Sequence, residues 1–148
     1  MKSYTRTDER MKTMQALYQV FLFLEQKEDF DATEILNNIY GVEDIKEVPK
    51  FSKAIYAFAL DHIEEIEQTI QSHLVNWVFD RLDDVAKAIL VGGISEGLYV
   101  RLAPRKVVIN EWVKLSKQFL KANDHRFINA VLDKSIPEFE VRTIENNK

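Results

Sequence analysis

Apolar residues recur along most of the chain at spacings of three and four. Met14, Leu17, Phe21 and Leu24 form one set. Ile55, Ala59, Ile63, Ile66, Ile70 and Leu74 form a second, and Val108, Trp112, Leu115 and Phe119 a third. Such steps return a side chain to one side of a 3.6-residue turn, so each set predicts the buried stripe of a helix. No stretch alternates with period two and neither Asn-Gly nor Asp-Gly occurs, so strands and tight hairpins are not expected. The breakers mark the ends: Gly41 closes one helical stretch, Pro49 and Pro104 open others, and Pro137 follows the last. The expected helices lie near 7–26, 32–40, 50–73, 82–99, 104–120 and 124–135, with a short turn near 75–79 and Asp124 as the last N-cap. The pattern is that of an all-α bundle with short connections.

Composition narrows the function. At 148 residues, with 46% hydrophobic and 30% charged positions, the chain suits one globular domain. The absence of cysteine excludes disulfides, thiolate metal sites and cysteine nucleophiles. The charged N-terminus has no apolar run of a signal peptide, and the longest apolar stretch, Ala88 to Ile94, is far shorter than the ~20 residues of a membrane span. A cytoplasmic location and no membrane contact are therefore expected. His62, His73 and His125 have no metal-ligand spacing, and no HExxH, GxSxG, P-loop or GxGxxG motif occurs, so neither catalysis nor a cofactor is expected. Gly92 and Gly93 fall inside a predicted helix and read as a place of close helix packing.

Charge divides the chain. The formal net charge is −4, but residues 1–27 sum to +2, 28–98 to −10, 99–134 to +5 and 135–148 to −1. Such asymmetry points to two surfaces with different partners. A basic surface binds phosphate by counterion release whatever the global charge. Phe119 and Phe127 accompany the basic third, and cations beside aromatic faces are a common means of holding single-stranded RNA. Phe119 also fits the apolar stripe of Trp112 and Leu115, which predicts burial.

The most specific stretch runs from Pro104 to Phe119, PRKVVINEWVKLSKQF, followed by HRFINAVLDK from His125 to Lys134. It resembles the NusB family of transcription antitermination factors, whose members show P-x-K-V-x-I-N-E-x-V-x-L-A-K-x-F and then H-K-F-V-N-G-V-L-D-K. Arg10 with Gln15-Ala16-Leu17-Tyr18, and Val85 with Lys87-Ala88-Ile89-Leu90, resemble two further family segments. The resemblance implies about seven helices in two packed sub-bundles, within a single domain at 1–137 followed by a polar, fraying tail at 138–148. It implies binding of boxA-type single-stranded RNA from ribosomal RNA operon leaders, pairing with the ribosomal small-subunit protein NusE, and a place in the RNA polymerase antitermination complex.

The resemblance also implies site residues. For RNA these are Lys2, Arg6, Arg10, Lys12, Lys106, Phe119, Lys121, Arg126 and Phe127. For the protein partner they are Tyr18, Leu22, Asp83, Asp84 and Lys87. Asp8 and Glu9 thin the N-terminal basic segment, and Ala86 stands where the family commonly has glutamate, with Asp83 and Asp84 as candidate substitutes. Asn110 is expected to bond between helices, while Asn129 fits an internal or a surface role equally. Two other readings stay open: a protein-interaction module or homodimer with little RNA binding of its own, suggested by the acidic middle, and the RNA-binding domain of a ribosomal RNA methyltransferase.

Overall fold

A computed structural model describes residues 3–143, and among these there are seven α-helices and no strand. They are α1 (Arg6–Gln26), α2 (Ala32–Tyr40), α3 (Lys50–Asp61), α4 (Ile63–Ser72), α5 (Asp84–Ser95), α6 (Arg105–Phe119) and α7 (Asp124–Ser135). Helices α1, α2 and α3 pack as one group, and α4, α6 and α7 gather on α5, which also lies against α1. Two small bundles thus share one apolar core, with Leu17, Ile55, Ile89, Leu90, Trp112 and Leu132 fully buried.

Local chemistry sets the ends. The Thr5 hydroxyl accepts from Asp8 N while Asp8 Oδ2 accepts from Thr5 N, a reciprocal cap on α1. Gly41 ends α2 at φ +68, a conformation glycine adopts without a Cβ penalty. The expected Asp124 cap is displaced by one residue: Asn123 occupies the cap position at φ +82, and Asp124 begins the helix.

Three expectations about elements are corrected. The long helix over 50–73 is two helices, because His62 leaves the helical region at φ −122, ψ 23. Its ring stacks on Phe58 at 4.2 Å and its Nδ1 lies 3.1 Å from the Phe58 carbonyl oxygen. The bend lets α3 cover α1 while α4 turns towards α7. The turn foreseen at 75–79 lies instead at Phe79–Arg81, leaving 75–78 irregular. The helix foreseen over 82–99 ends at Ser95 and continues as a five-residue π-helical turn, Glu96–Val100.

The two glycines of α5 mark a close approach of helices. A Cβ on Gly92 would stand 2.4 Å from Trp112 Cη2, and one on Gly93 3.0 Å from Leu132 Cδ2. The tail is tied back to the fold at two points. Phe139 packs on the core beneath Arg101, and Arg142 N donates to Arg101 O at 2.7 Å. No helix among the described residues is long and apolar enough to cross a membrane.

Candidate RNA and partner interfaces

The N-terminal cations do not form one open patch. Lys2 lies outside the described residues. Arg6 is exposed at the start of α1, where it pairs with Glu9 at 3.3 Å and lies 4.2 Å above the Phe51 ring. Burial raises the pKa of Glu9, against the opposing charge of Arg6. Arg10 faces inward and is 4% exposed. Its Nε and Nη2 donate to the two carboxylate oxygens of buried Glu96 at 2.7 and 2.8 Å, and Nη1 reaches Glu111 at 3.4 Å. This corrects the expectation of an RNA contact, since every arm of the guanidinium is committed inside the protein. Lys12 is half-buried, donates to Ile39 O at 3.3 Å and stands over the rings of Tyr4 and Tyr40. It ties α1 to α2, so its charge too is drawn inward.

The basic third keeps its cations outside. Lys106, Lys117, Lys121 and Arg126 are exposed on α6, on α7 and at the corner between them. Phe119 ends α6 and is 42% exposed, against the burial its stripe predicts, because the chain turns away immediately beyond it. Phe127 is half-buried in the first turns of α7 and lines a cleft together with Trp77 and Leu120. Asn110 and Asn129 are both exposed. The internal bond expected for Asn110 is not made; the two amides border a cleft of about 340 Å³ between α6 and α7, beside Lys106.

The partner candidates fall on α1 and α5, which pack together. Tyr18 and Leu22 are half-buried, one turn apart on α1. Asp83 spends one oxygen capping α5 by accepting from Val85 N at 2.8 Å. Lys87 is 3% exposed, which corrects its expected availability. Its amine lies 3.4 Å from both Glu25 and Asp84 and donates to Asp80 O at 3.1 Å, while resting near the Phe21 and Phe79 rings. Burial raises the pKa of Asp84, and the neighbouring Glu25 carboxyl adds to this, while Glu25 is lowered by its hydrogen bond with Asp84. Asp84 is turned towards Lys87, with which it pairs. Ala86 is buried and floors the cleft beneath Trp77.

Sequence reasoning missed two residues. Glu96, the buried anchor of Arg10, is an isolated carboxylate next to an apolar helix, and its partner lies 86 positions away. Trp77 is 58% exposed and belongs to no apolar stripe, which is the signal that singles it out.

The helix order and packing are those of a family of all-helical transcription proteins. A sequence model of the NusB family matches residues 7–137, and the chain belongs to that family. Similar relatives include the transcription antitermination protein NusB of Exiguobacterium sp., 32% identical over 133 residues that cover 90% of this chain and 98% of that protein. The corresponding protein of Bacillus subtilis is 31% identical over 127 residues, 86% of this chain and 91% of its own. Among solved structures, T. maritima NusB superposes with a TM-score of 0.73 at 22% identity, over 91% of this chain and 92% of that one. A NusB chain solved with NusE and double-stranded RNA gives 0.71 at 24% identity, over 86% and 92%. At these identities the structural likeness establishes the fold.

Proposed function

We propose that the protein is a transcription antitermination factor that binds boxA-type single-stranded RNA of ribosomal RNA operon leaders together with NusE, and so helps RNA polymerase pass terminators. It acts in the cytoplasm by binding rather than catalysis, through one domain over 1–137. The family relatives bear that antitermination name. The observation that carries the RNA reading in this chain is the set of exposed cations at α6 and α7, Lys106, Lys117, Lys121 and Arg126, beside Phe119 and Phe127. Uncommitted cations can exchange counterions for phosphates, and neighbouring rings offer faces for bases. Arg6, exposed at the start of α1, is a further candidate for a phosphate, while Arg10 and Lys12 serve the fold. Exposed Asp83 and the half-buried Tyr18 and Leu22 supply the accessible part of the NusE face, with Asp84 and Lys87 beneath it.

Titration of labelled boxA RNA, with and without NusE, across salt concentrations tests this. The expected result is salt-sensitive binding that NusE strengthens and a scrambled RNA lacks. Equal binding of both RNAs, or none, refutes it. Light scattering on the same samples separates a NusE heterodimer from a homodimer without RNA affinity.

A further inference from the structure

Trp77 is the largest apolar side chain the fold leaves in water. It sits on the irregular stretch between α4 and the Phe79–Arg81 turn, and Val75 and Val78 beside it are also more than half exposed. An exposed aromatic on a loose loop would mean little, but this backbone is clamped. The Gln71 side chain donates from Nε2 to Trp77 O at 2.9 Å and accepts from Phe79 N at 2.8 Å. Arg81 N donates to Val78 O at 2.9 Å, and Phe79 is buried as an anchor. The indole is thus presented by a fixed main chain, so little ordering remains to oppose a ligand.

Beneath it lies a cleft of about 260 Å³. Trp77, Leu82, Leu120 and Phe127 form its apolar walls and Ala86 its floor, while Asp83, Asp124 and Arg81 stand among its lining. Ala86 leaves space that a longer side chain would fill. Arg81 is exposed and has no acidic partner among the described ion pairs, and exposed Lys121 and Arg126 flank the same corner.

We propose that this cleft is a slot for one unpaired nucleobase of a bound RNA, with Trp77 as its stacking face. The occupant follows from the chemistry of the lining. Two aromatic residues suit the π-face of a base. The exposed Asp124 carboxylate at the edge of the apolar cleft repels phosphate but accepts from an exocyclic amino group, as Asp and Glu accept from cytosine N4. Cations at the rim meet the phosphates on either side. The slot therefore prefers amino-bearing bases, cytosine foremost, over uracil. The inference rests on the RNA-binding reading above and adds to it a residue, Trp77, and a base preference.

The protein carries its own reporter. Its two tryptophans are Trp77 and Trp112, and Trp112 is fully buried with its Nε1 bonded to Glu96. Titrating the full chain with boxA RNA should quench the exposed-tryptophan emission with the same midpoint as the anisotropy of end-labelled RNA. Oligocytidine should quench more strongly than oligouridine. Trp77→Ala should abolish the quench and weaken RNA binding about five- to a hundredfold, the range for losing one stacked base, with the salt slope unchanged. Trp77→Phe should retain most of the affinity. Gln71→Ala, which frees the backbone but keeps the indole, should weaken binding less than Trp77→Ala does. RNA that binds by anisotropy without quenching Trp77, or binds Trp77→Ala as tightly as the parent, overturns the slot while leaving the RNA reading intact. Quenching by NusE alone, with none from RNA, assigns the cleft to a protein side chain and also overturns it. No anisotropy change with any RNA overturns both.

Discussion

Arg10 and Glu96 meet in two parallel hydrogen bonds, 2.7 and 2.8 Å long, inside the protein and 86 residues apart in sequence. Trp112 Nε1 donates to the same carboxylate at 2.8 Å. One carboxylate thereby joins α1, the end of α5 and the middle of α6. The π-helical turn begins at Glu96 itself, and such turns are rare enough that a local cause is expected. The Glu96 contacts and the close approach of Gly97 to Ile136, where a Cβ would stand 2.6 Å from Cγ2, supply one.

Breaking the pair should cost stability rather than RNA contacts. Removing one partner of a buried ion pair costs about 3–5 kcal/mol, because the other is left charged and dry. At about 2–4 °C per kcal/mol for a chain of this size, Arg10→Ala should melt on the order of 10 °C lower. Replacing both residues, as Arg10→Met with Glu96→Leu, should recover part of the loss. RNA affinity measured on the folded fraction should show an unaltered salt slope. A reduced slope would place Arg10 on phosphate and contradict its buried geometry.

The exposed cations should behave oppositely. Lys121→Gln and Arg126→Gln remove exposed charges that make no ion pair among the described residues, so thermal stability should stay within about 0.5 kcal/mol of the parent. If each meets one phosphate of single-stranded RNA, each should reduce the slope of log K against log salt by about 0.7. Anisotropy titrations across salt read this directly, and unchanged slopes would remove both residues from the interface.

Close packing at Gly92 is equally exposed to test. The 2.4 Å approach to Trp112 leaves no room for a methyl group, since the indole is fully buried and fixed by Glu96. Gly92→Ala should destabilise by about 1–3 kcal/mol through overpacking, despite the better helix propensity of alanine. Pairing it with Trp112→Phe should restore less than either effect alone predicts, because that change also removes the donor to Glu96. A neutral Gly92→Ala would show that α5 and α6 can move apart freely.

How far these features are legible in the sequence depends on how local their causes are. The stripe of Ile55, Ala59, Ile63, Ile66, Ile70 and Leu74 marks buried helical positions because burial follows a 3.6-residue period; four of the six are buried, and Ile63 and Leu74 are half-buried. It does not reveal the break at His62, since the two shorter helices keep nearly the same phase. The glycines of α5 announce close packing because nothing else favours them in a helix. Arg10 reads as a surface cation because its partner is remote in sequence, and Lys87 likewise shows nothing of its enclosing Glu25 and Asp84. Trp77 stands outside every stripe, but only the Gln71 clamp and the cleft beneath it give the exposed ring a purpose.

Two glutamates should pull the pH dependence of stability in opposite directions. Burial raises the pKa of Glu67, with Asp80 adding to the effect and Lys87 opposing it. At neutral pH this carboxylate is ionised in both states and the folded one bears the cost, which is relieved as pH falls through the raised folded value. Glu67→Gln should therefore raise the melting temperature at pH 7, with the gain vanishing once pH drops below the ordinary carboxylate value of 4.5. For Glu111, burial pushes upward, but hydrogen bonds from Lys114 and Thr7 and the charge of Arg10 outweigh it and the pKa is lowered. Its stabilising contribution is complete above the ordinary value and is lost as pH falls through the lowered one. Glu111→Gln should lower the melting temperature at pH 7, and the deficit should shrink only below pH 4.5. Melting curves of the parent and both variants from neutral to acidic pH decide the signs. A parallel displacement of either variant at every pH would show that its effect is packing and not ionisation.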